Sequence, residues 1–305
     1  MEESSDHPQT LQSFEQNCEV KNLYKSKSAC ECCISWVDRK PATDDPQKSR
    51  QVREEHNGFA LLDRKQPHGS SGWTTHSIVI NSPHIKARLA PIFQDYQGVN
   101  PYAISLEFKT PFIPLLHRRE EIFQAERDET DGLARQHLAL LRNFLKQELS
   151  DSERFLNQFK STHLLEFQQI PLVFIPGEVI IKNKDGRVSA AILLQGSEES
   201  GHYCPQRSYE LQVRYLQWNG KKCGYTTTRW EIDYFQGSQK LNDMPIFPLR
   251  IAPNRTGIEA SLIDRGRKFH ELCGQHLRQF AGIMRVEDEG DMFATAKFLH
   301  VSILL

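Results

Sequence analysis

Residues 209–232 read YELQVRYLQWNGKKCGYTTTRWEI, and this stretch sets the fold class. Tyr209, Leu211, Val213 and Tyr215 alternate with polar residues, the period of a strand with one buried face. Asn219-Gly220 tolerates the positive φ angles of a tight turn, and Cys223 to Ile232 returns as the second strand of a hairpin. A two-residue loop would set Leu211 opposite Thr228, Val213 opposite Thr226 and Tyr215 opposite Gly224.

Upstream, Val179-Ile180-Ile181, the turn Asp185-Gly186 and the run from Val188 to Leu194 predict another hairpin. Downstream, Ile246 to Ile251 reads as a strand that Pro245 and Pro248 confine to a sheet edge. A last helix opens at Thr256-Gly257-Ile258-Glu259, which has capping-box spacing. It is expected to carry Ile258, Leu262, Ile263, Phe269 and Leu272 towards the core and to end near Gly274.

Further towards the N-terminus the period becomes helical. His76 to Asn81 is an apolar strand. Ser82 then serves as N-cap and Pro83 as first-turn proline of a helix carrying Ile85, Leu89, Ile92, Phe93 and Tyr96. Pro91 predicts a kink or early break there, and Gly98 sits where a helix stop belongs. Ile104 to Phe108 is a further strand, followed by a short helix from Pro111 through Ile122 and Phe123. A longer helix from about Thr130 has its apolar stripe at Leu133, Leu138, Leu141, Leu145 and Leu149. Ser150-Asp151-Ser152-Glu153 has the form of a capping box opening another helix to about Lys160. Between Cys18 and Trp73 the chain is polar and irregular, with anchors at Leu23, Tyr24, Trp36, Val37, Phe59, Leu61 and Leu62. It is expected to give two short edge strands, with residues 40–57 as an exposed loop or short helix.

Together these readings predict an α+β fold, a helical portion packed on a twisted antiparallel sheet or small open barrel. Residues 1–17, poor in apolar surface, are expected to form a disordered tail. Residues 18–283 are expected to form a single domain with a helical portion at about 78–165, a β-rich portion at about 171–255 and a closing helix at about 256–273, and residues 284–305 a divergent tail.

The composition narrows the function. In 305 residues, 38 Lys and Arg stand against 39 Asp and Glu, so no net field draws the chain to nucleic acid or to an anionic membrane. The first ten residues lack a basic leader with an apolar stretch, and no apolar run approaches the roughly 20 residues of a membrane span. An intracellular location, cytoplasmic or nuclear, is the expectation. Seven cysteines, an odd and irregular set, read mainly as reduced thiols rather than as a disulfide framework.

Complete catalytic or nucleotide-binding motifs are missing. There is no Gly-x-x-x-x-Gly-Lys-Ser or -Thr, no Gly-x-Gly-x-x-Gly and no Gly-x-Ser-x-Gly. Cys30, Cys32 and Cys33 include one Cys-x-x-Cys spacing, half of a zinc site or a redox pair. His56 and His68 do not complete a ligand pattern with them. His270 and His276 stand six apart, where a zinc-binding helix needs four for one face. His117-Arg118-Arg119 and Arg265-Gly266-Arg267-Lys268 are basic, but Glu120, Glu121 and Asp264 beside them favour solvated faces over phosphate sites. Asp151 with Glu153, and Glu198 with Glu199, offer carboxylates without a partner base or nucleophile. Tyr209, Tyr215, Trp218, Tyr225, Trp230, Tyr234 and Phe235 read mostly as core and cross-strand pairs, with Trp218 beside its turn as the exposed member. No catalytic, cofactor-binding or metal-binding residue is assigned. The expected function is protein recognition or scaffolding.

Six segments carry a resemblance: residues 18–24 (CEVKNLY), 76–83 (HSIVINSP), 174–177 (FIPG), 218–225 (WNGKKCGY), 247–249 (FPL) and 265–269 (RGRKF). In this order, across about residues 18 to 282, the chain resembles the N-terminal domain of unknown function of large fungal AAA-type ATPases. The resemblance implies a surface that contacts substrates, adaptors or other subunits beside a motor, and a AAA module with Walker motifs downstream. The chain stops before such a module, and residues 276–305 depart from the pattern. A truncated or alternatively spliced product, or a mispredicted gene end, is therefore expected. The alternative function is a fragment of an ATP-dependent enzyme.

Overall fold

A computed structural model describes residues 17–27, 34–40, 58–69, 72–184, 186–200, 207–219 and 221–273, together with the backbone of four short strands beyond them. The described chain is an α+β fold with no closed barrel. It divides into two compact units, Met1–Gly177 and Glu178–Leu305.

The first unit is built on a five-stranded sheet of β1 (Asn17–Lys27), β2 (Ile34–Val37), β3 (Phe59–His68), β4 (Gly72–Ile80) and β5 (Leu106–Lys109). Their spatial order is β2-β1-β3-β4-β5. β1 and β3 run parallel, and the other neighbours are antiparallel. Of the two short edge strands expected before residue 73, one is present as β2, and β1 and β3 are long inner strands. Their polar residues had masked an alternation that tertiary packing reveals: Leu61, Ile78 and Ile80 face one side, Leu62 and Val79 the other. Of the loop expected at 40–57, only Lys40 lies among the described residues, and it is exposed.

Helices cover the first of these faces. They are α1 (Pro83–Phe93), α2 (Ile113–His117), α3 (Arg119–Asp128), α4 (Gly132–Glu148) and α5 (Ser150–Thr162). Ser82 caps α1 as its sequence requires, accepting the Ile85 amide at 3.3 Å. The helix ends two residues past Pro91, and Gly98 follows in the left-handed region at φ 85°. Ile85, Leu89 and Phe93 pack with Leu138, Leu141, Leu145 and Leu149 on the sheet. Leu133 does not join that stripe, being 49% exposed. The capping box at Ser150 is also absent. Leu149, buried and outside helical geometry, is the junction, the Glu153 amide donates to the Leu149 carbonyl, and Glu153 pairs with Arg119 instead. The unit closes with β6 (Leu164–Glu166) and the single turn α6 (Ile170–Val173).

On the opposite face of the same sheet Leu23, Leu62 and Val79 form a small apolar cluster with Trp36 and Phe59. Beside it Arg64 lies over the Trp36 ring and pairs with Glu107, which also accepts from Ser77 at 2.6 Å.

The second unit is a five-stranded antiparallel sheet of β7 (Val179–Lys184), β8 (Arg187–Ser200), β9 (Arg207–Trp218), β10 (Cys223–Asp233) and β12 (Ile246–Pro248), in the order β10-β9-β8-β7-β12. A short β11 (Ser238–Lys240) precedes β12. The first hairpin forms as read: Lys184 pairs with Arg187 across Asp185-Gly186, with Gly186 at φ 76°. The second forms with its pairing moved by two residues. Leu211 faces Trp230, Val213 faces Thr228 and Tyr215 faces Thr226. The Asn219 side chain accepts the amides of Lys221 and Lys222 at 3.0 and 2.9 Å, and this wider turn displaces the expected two-residue loop. A shift of two preserves which face each side chain takes, so Tyr209, Leu211 and Val213 are still buried.

The expected edge strand at 246–251 is shorter, Ile246–Pro248, and continues as a 3-10 turn, Leu249–Ile251. The last helix, α7 (Arg255–Glu271), is capped by Asn254 rather than by residues of the Thr256 box. No side chain of α7 is buried, and Ile263, Phe269 and Leu272 are exposed, so its expected cover of the core is not observed. Beyond it β13 (Leu277–Phe280) pairs with β16 (Val301–Leu304), and β14 (Ile283–Met284) with β15 (Lys297–Phe298). Residues 1–16 of the expected tail lie outside the described residues, and Asn17 already belongs to β1.

Candidate functional site

The two edges of the second sheet differ. β12 is a three-residue strand preceded by Pro245 and ending in Pro248, and proline has no amide to offer a further strand. β10 is eleven residues long and pairs with β9 at every position from Cys223 to Asp233, with no bulge. Among the described residues no strand of this unit pairs with its other side. Its sequence CGYTTTRWEID has no proline and no lysine, the residues that usually blunt an edge. Three consecutive threonines favour the extended backbone.

The faces of β10 alternate. Trp230 and Ile232 are buried, whereas Tyr225, Thr227, Arg229 and Glu231 are exposed. Tyr225, 67% exposed, lies beneath Arg214 at 5.2 Å and is paired directly with the exposed Leu216 on β9. Arg229 pairs with Glu210 on β9 at 3.3 Å. The edge thus offers a row of main-chain groups flanked by an aromatic ring, hydroxyls, and the charges of Arg229, Glu231 and Asp233. Such a row can take an extended peptide by main-chain hydrogen bonding.

Of the aromatic residues singled out from sequence, Tyr209 and Trp230 are core, Tyr215, Trp218 and Phe235 are half-buried, and Tyr225 and Tyr234 are exposed. Tyr225 therefore takes the exposed position expected of Trp218. Trp218 pairs with Cys223 at the end of the ladder. Tyr209 lies against Gly196, and burial, then the nearby Glu198, pushes its hydroxyl up to about 12.

Other sequence candidates have different surroundings. Cys30, Cys32, Cys33, His56 and His276 lie outside the described residues. His68 and His270 are exposed on β3 and α7. His117 Nε2 donates to the Pro171 carbonyl at 3.0 Å, which leaves Nδ1 to accept from the Tyr96 hydroxyl at 2.8 Å. Arg118 lies over the Tyr96 ring and pairs with Glu121, and Arg119 pairs with Glu120 and Glu153. Arg265 donates to the Val188 carbonyl, Arg267 pairs with Asp264, and Lys268 is exposed. Asp151 pairs with Arg154, and Glu198 with Arg207.

One buried pair escaped the sequence reading. The Ser82 hydroxyl meets His137 Nδ1 at 2.8 Å, both residues being nearly inaccessible. Because Ser82 accepts the Ile85 amide, its proton is available to His137, whose own basicity is lowered by burial and then by His84. With no exposed oxygen and no carboxylate behind the imidazole, this pair anchors α1 to α4. Its partners are 55 residues apart, and no spacing rule links them.

A domain of unknown function (DUF7025) matches residues 156–253, from within α5 to just past the 3-10 turn at Leu249–Ile251, and so includes the whole of β10. No curated protein and no solved structure matches the chain.

Proposed function

We propose that this chain is a non-catalytic recognition domain that binds an extended segment of a protein partner along β10. The observation that carries this reading is the unbroken eleven-residue ladder at a sheet edge free of proline, lysine and bulges, beside a three-residue, proline-flanked opposite edge. A strand added there would draw affinity from main-chain hydrogen bonds. Specificity would come from alternate side chains meeting Tyr225, Thr227 and Arg229. The resemblance to the N-terminal region of fungal AAA-type ATPases supports the same reading, since such a domain would present a substrate or adaptor segment to a motor.

The test is affinity purification of the chain without nucleotide, followed by mass spectrometry and by hydrogen exchange on the captured complex. A partner should be retained by the native chain and lost with Tyr225→Ala combined with Thr227→Lys, a charge of the kind that closes natural edges. Amides of Cys223–Asp233 should exchange more slowly in the complex. Capture unchanged by the double substitution would remove β10 from the proposal. ATP turnover by the purified chain would replace recognition with an enzymatic reading.

A further inference from the structure

Two cysteines far apart in the sequence meet at the C-terminal end of α7. The sulfurs of Cys223 and Cys273 lie 3.4 Å apart, both residues are half-buried, and neither is in a disulfide. Cys273 also donates its S–H to the Phe269 carbonyl at 3.2 Å, one turn back in the helix. Its sulfur is therefore left to accept from Cys223, so the two thiols share one hydrogen-bonded chain. Burial, and then the Cys223 sulfur, push the Cys273 thiol above its ordinary range. At neutral pH Cys273 therefore persists as a thiol until an oxidant arrives.

The elements around this pair make a bond there consequential. α7 buries no side chain, and along its length Arg265 donates to the Val188 carbonyl at the start of β8. Its C-terminal turn reaches the first residue of β10 through Cys273. Closing the sulfurs from 3.4 Å to the roughly 2.05 Å of a disulfide takes about 1.35 Å of approach.

We infer that Cys223 and Cys273 form a reversible redox site, in which a hydroperoxide closes a disulfide that ties the end of α7 to the start of β10. The peroxide converts one thiol sulfur to a sulfenic acid as its O–O bond breaks and water, or the alcohol of an organic hydroperoxide, leaves. The second sulfur then attacks that sulfur, the S–O bond breaks, the S–S bond forms and a water leaves. Two thiols lose two electrons and two protons in all, and the peroxide is reduced. A dithiol reductant reverses the change. Disulfide formation requires no peptide on β10, although Cys223 is the first residue of that strand.

The experiment uses the full chain treated with hydrogen peroxide, alkylated, digested without reduction and mapped by mass spectrometry. A cross-linked peptide joining Cys223 to Cys273 should become the dominant form of both residues, with loss of their alkylation, and should disappear on treatment with dithiothreitol. In the oxidised protein, amides of the last turn of α7 should exchange more slowly. Cys273→Ser should abolish the cross-link and leave Cys223 open to alkylation. Free alkylation of both residues after peroxide would overturn the inference, as would cross-links of either one chiefly to Cys18, Cys30, Cys32, Cys33 or Cys204. Because the mapping reads the native chain, the result does not depend on whether the variant folds, and it is read without any partner.

Discussion

Leu141 and Leu133 lie on the same helix and read alike in the sequence, yet their surroundings differ completely. Leu141 is fully buried among Leu138, Leu145 and the sheet, so Leu141→Ala should cost about 2–5 kcal/mol in urea denaturation. Leu133 is 49% exposed, and Leu133→Ala should stay within about 0.5 kcal/mol. Equal losses would place Leu133 in the core. Glu129 offers a second test. Its carboxylate accepts from Arg88 Nε at 2.5 Å and Nη2 at 3.0 Å, and from the amides of Thr130 and Asp131. The Arg88 guanidinium first, then the Asp131 amide, hold it down at about 2, against a burial effect that opposes them. Since the folded value is depressed, the stabilisation is complete above the ordinary carboxylate range and is lost as pH falls through about 2. Urea midpoints measured down an acid series should therefore fall less steeply for Glu129→Gln than for the native chain. Parallel curves would show that this carboxylate contributes nothing to acid unfolding.

Among the elements, β8 and β9 show how closely a sheet can be fitted around one absent side chain. A methyl group at Gly196 would lie 2.5 Å from the Tyr209 hydroxyl oxygen and 2.7 Å from its ring. Gly196 is required by this close approach rather than by a turn. Gly196→Ala should destabilise by about 1–3 kcal/mol through overpacking. Combining it with Tyr209→Leu should cost less than the sum of the two single changes, because the same ring is the obstacle. Additive losses in a double-mutant cycle would show that the ring is not the obstruction. The β9–β10 hairpin makes a related point about turns. Asn219-Gly220 correctly marks a reversal, but the Asn219 side chain takes two later amides and moves the pairing by two residues. Local chemistry signals that a turn occurs, while competition for backbone amides selects which turn it is.

For the whole molecule, the division into Met1–Gly177 and Glu178–Leu305 assigns each five-stranded sheet its own unit. The helices that read as a separate portion pack on strands of their own unit, including β3 and β4. Residues before 73 looked peripheral because charged and apolar residues alternate there without a long apolar run. In a sheet with helices on one side and the Leu23 cluster on the other, both kinds of position are filled. The α7 helix shows the reverse error. Apolar residues at helical spacing suggested a buried face, but Ile263, Phe269 and Leu272 remain exposed. Spacing reports that a helix has an apolar side and carries no information on what that side meets.

Patterns of neighbouring residues were enough to establish the α+β class, the Ser82-Pro83 helix start, the Asp185-Gly186 hairpin and the proline-guarded edge strand, because each rests on interactions within a few residues. The side of β10 left unpaired among the described residues, the Ser82–His137 anchor and the meeting of Cys223 with Cys273 came from the folded chain alone. They depend on which distant segments become neighbours, 55 residues apart in one case and 50 in another, and local periodicity holds no record of that.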